Sequence, residues 1–192
     1  FDYMVFQATL DAHEVQFAMF MMPLAILGIL IASAVAMFEG HLKRLLASSS
    51  IAQIGYILLG VSFVSIAGLS ASAMHIFNHA LAKGGLFLVV ACLAYQYRDL
   101  RLDQLGGAST RMPWTCAAFV VCGLSLIGVP GTAGFISKWM LINAALENGP
   151  WGWGLVAIIL VSSLMAVVYI WRIVEALYFQ TPAEGEAPQS EA

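Results

Sequence analysis

The sequence predicts an all-α integral membrane protein of about five transmembrane helices, one of them interrupted. Three observations carry that prediction. Apolar residues make up 61% and charged residues 10% of the 192 positions, with a mean hydropathy of +0.87, where soluble domains carry roughly 25% charge. The apolar residues gather into segments of about 20 residues or more, the length needed to cross a hydrocarbon core of ~30 Å. Successive connections alternate between basic and acidic character, as expected if one side collects Lys and Arg. The net charge of −3 says little, because position matters more than sum in such a chain, and no nucleic-acid partner is expected.

Residues 1–16 hold Asp2, Asp11, His13 and Glu14 and are expected to form an external loop or the end of a preceding helix. Residues 17–179 then make the bundle, with spans at about 17–38, 51–69, 70–95, 114–146 and 153–179. A short break at Ala67, Gly68, Leu69 and Ser70 separates the second span from the third. The fourth span is too long for one straight helix, since about 33 residues would measure ~50 Å. Its middle reads GVPGTAG from Gly128. Pro130 removes a backbone hydrogen bond and Gly131 adds freedom, so the helix is expected to break at Pro130-Gly131. Residues 180–192 are rich in Pro and Glu and read as a polar cytoplasmic loop or a truncated tail. With no Met at the start and a polar stretch at the end, the expected reading is a fragment, and no signal peptide is recognised.

Orientation follows from the basic residues. Lys43 and Arg44 lie between the first and second spans, Arg98, Arg101 and Arg111 between the third and fourth, and Arg172 near the end of the fifth. The other connections hold Asp2, Asp11, Glu14 and Glu147. Five spans with the first end outside and the last end cytoplasmic reproduce this alternation, and four or six do not. The expected setting is a multi-pass protein of the cell inner (plasma) membrane. Trp114, Trp151 and Trp153 fit interfacial anchors, as do Trp171 and Tyr178 on the opposite face. Glu175 is read as solvated or paired with Arg172. Gly55, Gly60 and Ser62 suit close helix packing, and Cys92, Cys116 and Cys122 are read as small packing residues.

Two lysines remain outside the loops, Lys83 and Lys138. Lys83 is about 13 residues from either end of its span, roughly 20 Å along the axis, which is too far for its stem to snorkel out. A charge at the bilayer centre costs at least ~2.5 kcal/mol, so Lys83 should face the bundle interior. His75 and His79 precede it at spacings of four, which puts the three side chains on one helical face as a polar ladder. Histidine titrates near physiological pH, which suits a proton relay. Asn78 is placed to orient one imidazole. The competing readings are satisfied packing histidines, a structural lysine network, or a zinc site built on the His pair. The zinc reading lacks a third ligand and sets a lysine one turn away, so no metal is expected. Lys138 follows the helix break by two turns with Ser137 beside it. Interrupted helices persist in membranes where freed backbone is buried in protein or lines a cavity, often at ion sites.

Three runs carry a resemblance. Residues 40–56 read GHLKRLLASSSIAQIGY, residues 75–83 read HIFNHALAK and residues 128–138 read GVPGTAGFISK. Together they resemble the antiporter-like subunits of respiratory complex I and of Mrp-type antiporters. With Trp139 and the run AVVYIWRIVE at 166–175 added, the chain most resembles the D-type member of the Mrp sodium/proton antiporters. The resemblance implies a subunit of about fourteen helices with two inverted five-helix repeats, of which this chain resembles the second. It implies that His75, His79, Lys83 and Lys138 lie on the proton pathway, supported by Asn78, Ser137, Pro130 and Gly131. Ala47 and Gly131 depart from the family, where relatives often carry tyrosine and a second proline.

The function these readings imply is a proton-translocating subunit of a multisubunit sodium/proton antiporter, not itself an enzyme and without a cofactor. Its partners would be other membrane subunits, the lipid bilayer, protons and, through the Mrp resemblance, sodium. One alternative is a proton-pumping subunit of NADH:quinone oxidoreductase or a membrane-bound hydrogenase. The other is a structural membrane anchor, which predicts that neutral substitutions at both lysines leave transport intact.

Overall fold

The computed structural model describes residues 2–180, with side chains described at His13 and from Val15 onward. The tail at 181–192 lies outside the described residues. Among those described, the regular elements are helices: α1 (Asp2–Phe38), α2 (Leu42–Ser62), α3 (Ile66–Gln96), α4 (Ala108–Arg111), α5 (Pro113–Ile127), α6 (Ala133–Leu146) and α7 (Gly152–Tyr178). Four segments are long and apolar enough to cross a membrane: Val15–Phe38, Leu42–Ser62, Ile66–Gln96 and Gly149–Tyr178. The shorter apolar helices α5 and α6 flank the interruption in the fourth span.

Three boundaries differ from those expected. Residues 2–16 are helical and continuous with the first span, where a loop or a separate helix end was expected. The second helix starts at Leu42, nine residues before position 51. Ser49 and Ser50, left outside the span by the expected start, donate their hydroxyls back to the Leu46 carbonyl at 2.9 and 3.0 Å, which lets serines sit inside a helix. The turn between α2 and α3 falls at 63–65 rather than at 67–70. There the Ser65 hydroxyl caps α3 by accepting from the Gly68 amide at 3.0 Å. The small residues behind it pack helix on helix: a Cβ on Gly68 would lie 2.3 Å from the Gly60 carbonyl oxygen.

The two connections with basic character meet at one end of the bundle. His41 and Arg101 form an antiparallel bridge, with Leu42 N–H donating to Leu100 O and Leu102 N–H to Gly40 O, each at 2.9 Å. Arg172 reaches this end from α7 and donates to the carbonyls of Met37 and Glu39, which α1 leaves without helical partners. Glu175 is exposed, and the ion pairs of the described residues do not include one with Arg172. Trp114, Trp151 and Trp153 are exposed, as residues facing lipid or an interface should be.

The interior is layered. One apolar cluster at the basic end includes Leu45, Leu46, Leu86, Leu93, Phe119 and Ile173. A second, at the other end, includes Ile29, Tyr56, Leu59, Leu141, Leu155 and Ile159. Between them along α2, α3, α6 and α7 lie the buried polar residues Ser49, Gln53, His75, Asn78, Lys83, Ser137, Lys138 and Ser162. Polar groups removed from water need hydrogen-bond partners, so this belt must satisfy itself internally.

Candidate ion-pathway site

The helix break is built by glycine geometry. Gly128 closes α5 in the left-handed region at φ 88°, and its N–H and that of Val129 both donate to the Leu124 carbonyl at 3.0 and 3.1 Å, a helix stop that glycine favours. Thr132 then begins α6, its hydroxyl donating to Val129 O at 2.7 Å. Gly134 lies so close to α5 that a Cβ there would sit 1.8 Å from the Ser125 carbonyl oxygen. Gly131 has φ 91°, a backbone that proline, fixed near −65°, is unable to adopt.

Lys138 occupies the break. Its Nζ donates to Leu126 O at 3.1 Å and Ile127 O at 2.8 Å, both carbonyls at the end of α5. A third bond runs to Ser163 Oγ at 3.1 Å, so all three ammonium donors have acceptors. The cation also stands 5.0 Å from the ring centroid of Tyr56. The C-terminal end of a helix carries partial negative charge, and interrupting the helix brings that end to the lysine at mid-bundle.

His75 adjoins this group. Its Nδ1 is 2.9 Å from Ser137 Oγ and its Nε2 is 3.0 Å from Gln53 Oε1. Because an amide oxygen only accepts, the neutral imidazole carries its proton on Nε2 and accepts from Ser137 at Nδ1. Ser137 Oγ is also 3.2 Å from Gly134 O, so the hydroxyl can turn between the imidazole and the backbone. His75 therefore links α2, α3 and α6, with Lys138 close enough to interact electrostatically.

The rest of the expected ladder divides. His79 stacks on His75 with centroids 6.3 Å apart and planes 9° from parallel, but its buried Nδ1 has no hydrogen-bond partner among the described residues. Lys83 turns to α2, donating to Leu46 O at 2.6 Å and Ser49 Oγ at 2.5 Å, with the Phe87 ring 6.0 Å away. Asn78 was expected to orient an imidazole. It instead donates to Ala133 O at 2.7 Å and pins α3 to the first turn of α6. Pro130 and Gly131 are exposed in the turn itself.

Sequence reasoning assigned no role to several polar partners. Ser49, Gln53 and Tyr56 follow one face of α2 at spacings of four and three, a buried polar stripe inside an apolar helix. That spacing was the available signal. Tyr169 and Ser163 on α7 gave none, because one aromatic and one small residue in an apolar span look like packing. Tyr56 is hydrogen-bonded to Ser162 and Ser163 and donates to Ile159 O at 3.3 Å. Ser162 in turn bonds Ser33 of α1 at 2.9 Å.

The family described as "NADH:quinone oxidoreductase/Mrp antiporter, TM" matches residues 2–166 of this chain. The chain belongs to that family. NADH-quinone oxidoreductase subunit N of Desulforudis audaxviator is 40% identical over 169 residues, covering 86% of this chain and 33% of the relative. Among solved structures, the Mrp complex from Dietzia sp. superposes with a TM-score of 0.81 at 30% identity, over 86% of this chain and 31% of that one. A membrane-bound sulfane sulfur reductase, an archaeal respiratory membrane complex, gives 0.80 at 28% identity, over 89% and 36%. The chain thus spans about a third of the length of these relatives, and members of the family occur in both redox-driven and antiporter assemblies.

Proposed function

We propose that this chain is an ion-pathway module of a proton-translocating, antiporter-like membrane subunit in a redox-driven quinone oxidoreductase complex. The observation that carries the reading is the pair of buried lysines, each held by neutral oxygens and, among the described residues, by no carboxylate. The ion pairs of the described residues, His41 with Asp99, Arg44 with Glu39 and Arg101 with Asp103, involve the basic end of the bundle. Serine hydroxyls accept from an ammonium and donate to an amine, so Ser49 and Ser163 suit both protonation states of their lysines. A permanent structural cation in so apolar a setting is better served by a carboxylate partner.

The choice of assembly leans on the subunit N relatives, which favour the quinone oxidoreductase over the Mrp antiporter first expected. The redox chemistry then belongs to other subunits, and this one moves protons. Sodium/proton exchange is the second reading, favoured by the 30% identity to the Dietzia Mrp complex. By the positive-inside tendency, the end carrying Lys43, Arg44, Arg98, Arg101, Arg111 and Arg172 is the cytoplasmic one. The test is Lys83→Ala and Lys138→Ala in the full-length protein within its complex, assayed by proton uptake into vesicles. Loss of uptake driven by quinone reduction is expected in both variants. Uptake driven by a sodium gradient alone would favour exchange, and unchanged transport in both variants would leave the anchor reading.

A further inference from the structure

We propose that Ser49, Gln53 and Tyr169 form a hydrogen-bonded chain that reports the protonation state of Lys83 to the imidazole of His75, with Tyr169 as its central positioning residue. This rests on the ion-pathway reading above. Lys83 Nζ ends on Ser49 Oγ at 2.5 Å, and His75 Nε2 ends on Gln53 Oε1 at 3.0 Å. Ser49 and Gln53 are four residues apart on α2 and so share a face. Tyr169 of α7 is 0% exposed, and its hydroxyl lies within hydrogen-bonding reach of both side chains. His79 interacts electrostatically with both Lys83 and His75, but its buried Nδ1 has no hydrogen-bond partner among the described residues, so the chain through Ser49 and Gln53 is the hydrogen-bonded route.

Hydrogen-bond direction gives the chain two arrangements. With Lys83 an ammonium, its N–H donates to Ser49 Oγ, and the Ser49 hydroxyl, directed away from Nζ, turns between Leu46 O and the Tyr169 oxygen. Tyr169 then donates to Gln53 Oε1 and competes with His75 for that oxygen. With Lys83 an amine, Nζ gains a lone pair that can accept from Ser49; when Ser49 donates to it, Tyr169 donates to Ser49, and Gln53 turns its N–H to the phenol oxygen. Gln53 Oε1 is then left to the His75 N–H, which fixes the proton on Nε2 and leaves Nδ1 bare toward Ser137 and the Lys138 group. No proton crosses the amide. The chain transmits orientation, and such networks strengthen cooperatively in a medium of low dielectric.

Tyr169→Phe removes the hydroxyl and keeps the ring. In the assembled complex we expect proton uptake to fall by roughly 2- to 10-fold, the worth of one neutral hydrogen bond, with a displaced pH profile. Combining it with Ser49→Ala should add little, because both cut one chain, whereas combining it with Ser163→Ala should multiply the losses. Wild-type uptake with an unmoved pH profile in Tyr169→Phe, alongside lost uptake in Lys83→Ala, overturns this inference alone. Retained uptake in Lys83→Ala overturns the reading beneath it. A second measurement does not depend on the Phe variant assembling: ¹⁵N spectra of labelled His75 in the wild-type complex should show a pH-dependent tautomer population that Lys83→Met abolishes. A population that still changes in Lys83→Met sinks the proposal.

Discussion

The two buried lysines are held by different kinds of structure. Lys138 sits where the chain is broken, and two of its three acceptors are main-chain carbonyls at the end of α5. Lys83 sits against an intact helix, sharing the Leu46 carbonyl with two serine hydroxyls and leaning on Ser49. The first site is set by backbone geometry and tolerates loss of a side-chain partner. The second has one main-chain and one side-chain acceptor and should tolerate less such loss. Binding a cation mid-membrane therefore has two solutions in one bundle, and substitutions should tell them apart.

The largest effect is expected for Gly134→Ala. The new methyl would collide with the main-chain oxygen of Ser125, which has no rotamer to move, and overpacking of this kind costs about 1–3 kcal/mol or more. Thermal melting of the solubilised complex should fall, and proton uptake with it. An unaltered melting temperature would break the claim that the junction positions Lys138. Next comes Ser49→Ala, which removes an acceptor from a buried ammonium at a cost of about 1.5–3 kcal/mol and should cut proton uptake by about tenfold or more. Ser163→Ala should do less, about 1 kcal/mol, because Lys138 keeps both carbonyls. Uptake assays that rank Ser163→Ala above Ser49→Ala would reverse the comparison. The smallest change is expected from Arg172→Ala, which uncaps α1 at the bundle end. Stability should drop by about 0.5–1.5 kcal/mol while uptake per assembled complex stays at the wild-type level.

The contrast also explains what was legible beforehand. Composition and apolar run length gave the all-helical membrane class, and Pro130 with its flanking glycines gave the interruption, because these signals are local. Lys83 and Lys138 stood out because a charge has few reasons to lie inside an apolar span. Helix starts were less legible, since Ser49 and Ser50 satisfy themselves against Leu46 and a linker would look the same in sequence. The partners of each cation were the least legible. Gln53 meets His75 across 22 positions and Ser163 meets Lys138 across 25. Spacing along one helix placed His75, His79 and Lys83 on a common face, but it gave no sign that Lys83 would turn toward α2.

The layered interior has an electrical meaning. The polar belt lies between the two apolar clusters, and on α3 it runs from His75 to Lys83, about 12 Å along the helix axis. On the ion-pathway reading, charge moving along the belt would cross a substantial part of a hydrocarbon core of ~30 Å, and with it of the transmembrane voltage. The rest of the work of about 2.3 kcal/mol per elementary charge per 100 mV would fall, on the same reading, on the steps past Leu46 and Phe119 at one end and past Ile29 and Leu141 at the other.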